Sequence, residues 1–138
     1  MQPPVLAAAP HWRRIDFISD LHLQPACAAT AQGWRGYLAT TPADALFILG
    51  DLFEVWVGDD LMQHDSPEGH FAADCAAALR DAGRRLDLHL MRGNRDFLLG
   101  EGFAQASGTR LLPDPLRLDL GPQRWLLTHG DALCLDDV

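Results

Sequence analysis

Four short apolar runs of strand length along the chain are each followed at once by a small polar cluster. The four clusters are Asp20 with His22, Gly50 with Asp51, Gly93 with Asn94, and His129 with Gly130. In an open α/β sheet the carboxyl ends of the strands share one edge, and ligands bind just beyond it. The pattern therefore predicts that side chains far apart in the sequence converge on one site.

The remaining pattern alternates between strand and helix and ends in a hairpin. We expect strands at residues 15–19, 45–49, 86–91, 111–120 and 123–128, and helices at residues 30–39, 68–82 and 97–107. The run ALFIL at 45–49 is apolar throughout, so it is expected to be buried on both faces. This order predicts a layered α/β domain over residues 14–138, preceded by a flexible tail at residues 1–13 that is rich in Pro and Ala.

Charge and cysteine content narrow the possible partners. The chain has 11 basic and 19 acidic residues and a net charge of -8, so it lacks the Lys/Arg footprint that nucleic acid requires. An acidic protein that acts on a phosphorylated substrate needs a cation between the two. The 3 cysteines form no CxxC pair, which argues against a disulfide framework and against a thiolate zinc site.

The four clusters supply carboxylate, amide and imidazole groups as candidate metal ligands. The candidates are Asp20, His22, Asp51, Asn94 and His129. Such a set suits Mn, Fe or Zn better than calcium, which prefers shells made only of oxygen. With two carboxylate oxygens, Asp51 could bridge two ions about 3.5–4 Å apart, as in two-metal phosphoesterases.

The clusters also carry a family resemblance. DLH at 20–22, GDLFE at 50–54, GNRD at 93–96 and HGD at 129–131 resemble the successive motifs of calcineurin-like metallophosphoesterases. The longer strings FISDLHL, ILGDLFEVWVGDD, MRGNRDFLLG and LLTHGDALCLDD resemble one branch, the UDP-2,3-diacylglucosamine hydrolases of lipid A biosynthesis. The resemblance covers nearly all of residues 15–138. It implies a calcineurin-like α/β fold, in which a β-sheet sandwich is flanked by helices.

The resemblance also implies an activity and a location. The reaction is Mn-dependent hydrolysis of the pyrophosphate bond of UDP-2,3-diacylglucosamine to UMP and 2,3-diacylglucosamine 1-phosphate. By resemblance, Asp20, His22 and Asp51 hold one of two Mn²⁺ ions, while Asp51, Asn94 and His129 hold the other. Asp51, Asn94, Arg95 and His129 are then the expected catalytic residues. The acylated substrate implies a cytoplasmic protein that associates peripherally with the cytoplasmic face of the bacterial inner membrane.

Two further residues are expected to bind the substrate alongside Asn94. Arg95 stands where many members of the wider superfamily carry His. A guanidinium binds phosphate through paired N–H groups and gives up no proton at neutral pH, so Arg95 is expected to be a phosphate clamp. By resemblance, Asp137 contacts the glucosamine.

Compared with the family's motifs, this sequence lacks a segment that supplies metal ligands. The family closes its metal site with a late Gly-His-x-His segment, and nothing after His129 supplies one. The helical insertion that receives the acyl chains is likewise expected after Val138. We therefore expect each ion to lack one protein ligand, and the sequence to be the N-terminal portion of a longer enzyme or a truncated product. Two alternatives stay open: another calcineurin-like phosphodiesterase or nucleotide pyrophosphatase, and an inactive fragment with an incomplete metal site.

Acids and aromatic residues surround Asp51 in the string GDLFEVWVGDD. Phe53, Trp56 and Val57 are expected to pack in the core and hold this loop rigid. Asp59 and Asp60 are equally well explained as a helix start, because acids are favoured near the positive end of a helix dipole. The other histidines are expected at the surface or at strand edges rather than as ligands, and they are His11, His64, His70 and His89.

Overall fold

Residues 2–129 are described by a computed structural model, and they form three layers: helices, a four-stranded sheet and a three-stranded sheet. The strands are β1 (Val5–Ala7), β2 (Ile15–Ile18), β3 (Ala45–Leu49), β4 (Asp87–Met91), β5 (Arg110–Leu112), β6 (Leu116–Leu120) and β7 (Gln123–Leu127). The helices are α1 (Ala28–Thr40), α2 (Pro67–Ala82) and α3 (Glu101–Ser107), and a short 3-10 helix spans Asp59–Gln63.

The four-stranded sheet is parallel throughout and has the order β2-β3-β4-β5. A helix separates each strand from the next along the chain, as parallel pairing requires. The carboxyl ends of β2, β3 and β4 therefore lie at one edge of the sheet. This arrangement confirms the predicted α/β architecture and the predicted position of the first three polar clusters.

Strand β3 is buried on both faces, as its unbroken apolar sequence predicts. Leu46 and Ile48 belong to the core between the sheet and the helices, whereas Ala45 and Phe47 belong to the core between the two sheets. All four residues are fully buried. Because successive side chains of a strand point to opposite faces, a strand in this position must be apolar at every residue.

The three-stranded sheet has the order β1-β6-β7. Strands β6 and β7 form the predicted antiparallel hairpin around the Gly121-Pro122 turn. The predicted strand at 111–120 is wrong in one respect, because it divides into β5 in the first sheet and β6 in the second. Pro113 and Pro115 lie at the division, and neither can donate a backbone hydrogen bond to a continuous ladder.

The N-terminal segment contains a strand that the sequence analysis placed in a tail. Strand β1 pairs in parallel with β6, with Leu6 opposite Leu118. A little further on, the indole N–H of Trp12 donates to the carboxylate of Asp87 over 2.6 Å. The three-residue sequence VLA is too short to show a period, so its strand form depends on the β6 partner and was not visible locally.

The helices cover one face of the four-stranded sheet. Helix α2 begins at Pro67, and the Ser66 hydroxyl accepts a hydrogen bond from the Gly69 N–H over 3.0 Å, which satisfies one of the free donors of the first turn. Helix α3 begins at Glu101, four residues later than predicted. Within residues 2–129, no helix is long and apolar enough to cross a membrane.

Candidate metal centre

Three of the predicted ligands lie together at the carboxyl edge of the parallel sheet. Asp20 and His22 follow β2, and Asp51 follows β3. One ligand atom from each lies within 4.8 Å of the others. The His22 Nε2 atom is 3.7 Å from an oxygen of Asp20 and 3.9 Å from an oxygen of Asp51. The spacing leaves room for a cation between the three side chains.

His129 reaches the same place from the other sheet. It follows β7, and its Nε2 atom lies 3.3 Å from an oxygen of Asp51. The side chains of His129 and Asp51 are only 6% and 7% exposed. The predicted convergence is thus confirmed for Asp20, His22, Asp51 and His129, which belong to the first, second and last clusters. The site does not lie at the edge of a single open sheet, however, because His129 follows a strand of the second sheet.

The backbone at these ligands is strained. Asp20, His22 and Asp51 have φ values of 56°, 50° and 53°, and they are the non-glycine residues with positive φ among those the structure describes. Non-glycine residues in this region cost about 1–3 kcal/mol each and persist only where the surroundings impose them. Here the two loops bind each other: the Asp20 N–H donates to the Gly50 carbonyl over 3.1 Å, and the His22 N–H donates to the Asp51 carbonyl over 3.0 Å.

Two glycines allow the loops to approach closely. Gly50 has φ of 93°, and a Cβ atom there would lie 2.3 Å from the His129 ring. A Cβ atom at Gly93 would lie 2.3 Å from a carboxylate oxygen of Asp51. Any side chain at either position would displace a proposed ligand, which explains why the clusters pair glycine with a polar residue.

Both imidazoles are oriented by an oxygen at Nδ1. The Nδ1 atom of His129 is 3.1 Å from the Leu49 carbonyl, and the Nδ1 atom of His22 is 3.3 Å from a carboxylate oxygen of Glu54. An acceptor at Nδ1 keeps the ring proton there and leaves the Nε2 lone pair free. In both rings, that Nε2 atom faces Asp51. This is the arrangement expected of histidines that bind a metal.

The donor set fits a divalent transition metal. Carboxylates from Asp20 and Asp51 stand beside two imidazole Nε2 atoms. Mixed oxygen and nitrogen donors of this kind suit Mn, Fe or Zn. A cation would also offset the repulsion between the two carboxylates. The structure thus supports a metal-binding group at the junction of the two sheets.

The third cluster lies in the loop after β4. The Arg95 N–H donates to Asp51 over 2.8 Å, which attaches this loop to the proposed ligand. The Arg95 side chain is 60% exposed, with one guanidinium nitrogen 3.5 Å from Glu54. Asn94 is exposed in the same loop. Asp137, the other residue expected to bind substrate, lies outside the described residues.

Asp96 is a buried residue that stabilises the loops of the site, and no role was predicted for it from the sequence. Its side chain is fully buried and accepts hydrogen bonds from the Gly93 N–H over 2.8 Å and from the Phe53 N–H over 3.1 Å. Burial raises the pKa of this carboxyl despite those two bonds. Asp96 therefore links the loops that follow β3 and β4. An acid three residues after a glycine at a strand end was the only local signal.

Some of the predictions for other residues near the site are confirmed, and others are wrong. Phe53 and Trp56 are 2% and 3% exposed and pack in the core, as predicted. Val57 was wrongly predicted to be buried, since it is 62% exposed. Asp59 and Asp60 do begin a helix, the 3-10 helix. His89 was wrongly predicted at the surface or an edge: it is 5% exposed, on a strand between two others.

Comparison with known proteins identifies relatives of this chain. No protein-family model matches the chain. A protein named UDP-2,3-diacylglucosamine hydrolase from Chromobacterium violaceum is 52% identical over an alignment of 131 residues that covers 90% of this chain and 51% of that protein. Proteins of the same name from Stenotrophomonas maltophilia and Xanthomonas oryzae are 48% and 49% identical over 124 residues, in each case 88% of this chain and 48% of the relative. The chain is homologous to the N-terminal half of the UDP-2,3-diacylglucosamine hydrolases.

The chain spans about half the length of these hydrolase relatives. The α/β layers are consistent with part of a calcineurin-like fold, as the sequence motifs implied. The family resemblance is thus confirmed.

Proposed function

We propose that the protein hydrolyses the pyrophosphate bond of UDP-2,3-diacylglucosamine, giving UMP and 2,3-diacylglucosamine 1-phosphate. The convergence of Asp20, His22, Asp51 and His129 at one sheet junction carries this proposal. The relatives named UDP-2,3-diacylglucosamine hydrolase supply the substrate class. A nucleotide diphosphate is an anion, so a cation site also reconciles it with a protein of net charge -8.

Two Mn²⁺ ions are the proposed cofactor. Asp20, His22 and Asp51 would hold one, and Asp51, Asn94 and His129 would hold the other, with Asp51 common to both sets. When bound, such ions lower the pKa of water and neutralise charge on phosphate oxygens. The chain's own contribution is to hold Asp51 in place, through the Arg95 N–H on one oxygen and the close approach of His129 to the other.

Arg95 and Asn94 are the proposed phosphate-binding residues. The Arg95 guanidinium is exposed beside the proposed metal ligands while its backbone is bound to Asp51. A guanidinium in that position can bind two phosphate oxygens at once and remains charged through the reaction. By the family resemblance of the sequence motifs, Asp137 would bind the sugar.

An apolar cleft beside the site would contact the acyl chains in addition to the helical insertion that the family resemblance assigns to them. It has a volume of about 480 Å³. Leu23, Phe53, Trp56, Val57 and Phe71 line it, and Glu54 contributes its polar edge. Hydrocarbon gains roughly 0.8 kcal/mol for each CH₂ group moved out of water into such a surface. Because the acyl chains of the substrate reside in lipid, we further propose that the protein works at the cytoplasmic surface of the inner membrane.

The test measures UMP release from UDP-2,3-diacylglucosamine with Mn²⁺. The chain is assayed as it is, and also with residues 1–129 joined to the C-terminal half of the Chromobacterium violaceum relative. We expect UMP release in at least the joined form, and a fall of about 10³-fold or more in the Asp51→Ala variant, since it removes the bridging ligand. UDP-N-acetylglucosamine, which has no fatty-acyl chains, serves as the control substrate.

Two results would contradict the proposal. One is equal turnover of the acylated and unacylated substrates, which would point to a general nucleotide pyrophosphatase. The other is undiminished activity of the Asp51→Ala variant, which would exclude Asp51 as a bridging ligand.

A further inference from the structure

We propose that Glu54 is a positioning residue, which fixes the imidazole of His22 so that its Nε2 atom faces the proposed metal centre. The inference rests on the proposed function. It concerns an acid of the string GDLFEVWVGDD that the predicted ligand sets leave without a role.

The contacts of the Glu54 carboxylate point to this role. Its Oε1 atom lies 3.3 Å from the Nδ1 atom of His22 and 3.5 Å from a guanidinium nitrogen of Arg95. The side chain is 29% exposed, so water only partly screens these contacts. The guanidinium of Arg95 lies against the same oxygen and limits the movement of the Glu54 side chain. A carboxylate oxygen at this position accepts a hydrogen bond from an N–H group at Nδ1 of His22.

The backbone fixes Glu54 relative to His22. The backbone segments that follow β2 and β3 continue to hydrogen-bond with each other beyond the ends of the strands. The Leu23 N–H donates to the Leu52 carbonyl over 2.8 Å, and the Glu54 N–H donates to the Leu23 carbonyl over 3.0 Å. The neighbouring Phe53 N–H is held by the buried Asp96. The backbone of Glu54 and that of its neighbour Phe53 are therefore both held by hydrogen bonds. A residue that orients another side chain needs such a fixed position.

The chemistry explains why this contact matters for the metal. A histidine ligand must offer an unprotonated Nε2, and a carboxylate at Nδ1 selects that tautomer and makes the ring a better donor. Loss of such a partner typically weakens metal affinity or activity by about 10–100-fold. The carboxylate would also attract the cation directly. The charge effect and the positioning effect must therefore be separated by experiment.

Two variants separate these effects. Glu54→Gln keeps the length of the side chain and removes its charge, whereas Glu54→Asp keeps the charge and withdraws the carboxylate from His22. Glu68→Gln is the matched control, because Glu68 lines the same cleft from the first turn of α2. Mn²⁺ affinity is measured by electron paramagnetic resonance of free Mn²⁺, and the His22 tautomer is measured by ¹⁵N NMR of the metal-free chain.

We expect the wild-type His22 to carry its proton on Nδ1, and both Glu54 variants to lose this preference. We expect the dissociation constant for Mn²⁺ to rise about 10–100-fold in both, with little change in Glu68→Gln. Wild-type affinity in Glu54→Asp would overturn the inference, since charge alone would then suffice. A wild-type His22 with its proton on Nε2 would also overturn it. Absence of Mn²⁺ binding in the wild type would count against the proposed function, while the tautomer would still test the Glu54 contact.

Discussion

At the scale of single residues, His89 shows how burial changes a side chain's chemistry. Its ring stacks on Phe47 with centroids 4.3 Å apart and meets Trp12 edge-on at 5.4 Å. Burial and, to a smaller extent, the nearby Arg110 lower the pKa of the imidazole to about 4, although Asp87 opposes the shift. His89 therefore packs as a neutral aromatic ring at pH 7. The sequence does not indicate this, because histidine is intermediate between the residue types that are mostly buried and those that are mostly exposed.

This depressed pKa predicts a specific dependence of stability on pH. Between a pH of about 6.5 and a pH of about 4, His89 is protonated in the unfolded chain but neutral in the folded chain. The free energy of unfolding should therefore fall by roughly 3 kcal/mol at most across this window on account of His89. The His89→Phe variant should show a flatter profile in urea unfolding between pH 7 and pH 4.5. The exposed His70→Gln variant is the control, and a wild-type slope in His89→Phe would contradict the assignment.

At the scale of elements, Asp59 connects the 3-10 helix to α3, which is distant from it in the sequence. The sequence indicated a helix start here, and the 3-10 helix does begin at Asp59. The carboxylate, however, accepts hydrogen bonds from the N–H groups of Gly100 and Phe103, each over 3.1 Å, at the start of α3. A partner 41 residues away depends on how α3 packs against the 3-10 helix, so periodicity and capping patterns could not predict it.

The Asp59→Ala variant should destabilise the fold through α3. It leaves N–H groups at the α3 N-terminus without their acceptor and removes the 3.0 Å contact with the Trp56 indole N–H. We expect a loss of about 1–3 kcal/mol in urea unfolding, as for the loss of a cap with buried donors. The adjacent Asp60→Ala variant should change stability by less than about 0.5 kcal/mol, because surface substitutions are usually neutral. Equal effects of the two substitutions would exclude the cap.

At the scale of the whole molecule, the site joins the two sheets. The sequence predicted the apolar strands and their polar ends well, because burial dictates the former and chemistry the latter. It could not predict that β5 and β6 belong to different sheets, or that β7 delivers His129 from the second one. Those features depend on the packing of Met91 and Phe47 against Leu116 and Leu118, and many apolar sequences satisfy such packing.

A ligand that bridges the two sheets should stabilise the entire fold, and Asp20 offers a way to measure it. Asp20 and Asp51 offer carboxylate oxygens within 4.8 Å of each other, so the metal-free site contains repelling like charges. Asp20→Asn removes one charge, and asparagine tolerates the φ of 56° at this position. Without metal, the variant should therefore be at least as stable as the wild type.

With Mn²⁺ at about 100 times its dissociation constant, the order should reverse. Binding to the folded state alone adds about 2.7 kcal/mol to the free energy of unfolding of the wild type, while the variant gains much less. Thermal and urea unfolding with and without Mn²⁺ measure both terms, and Asp65→Asn, at a side chain 99% exposed, should behave as the wild type. If Asp20→Asn gained as much from Mn²⁺ as the wild type, Asp20 would not be a ligand. If it were less stable without metal, the strained loop would need the charge for folding itself rather than for binding a cation.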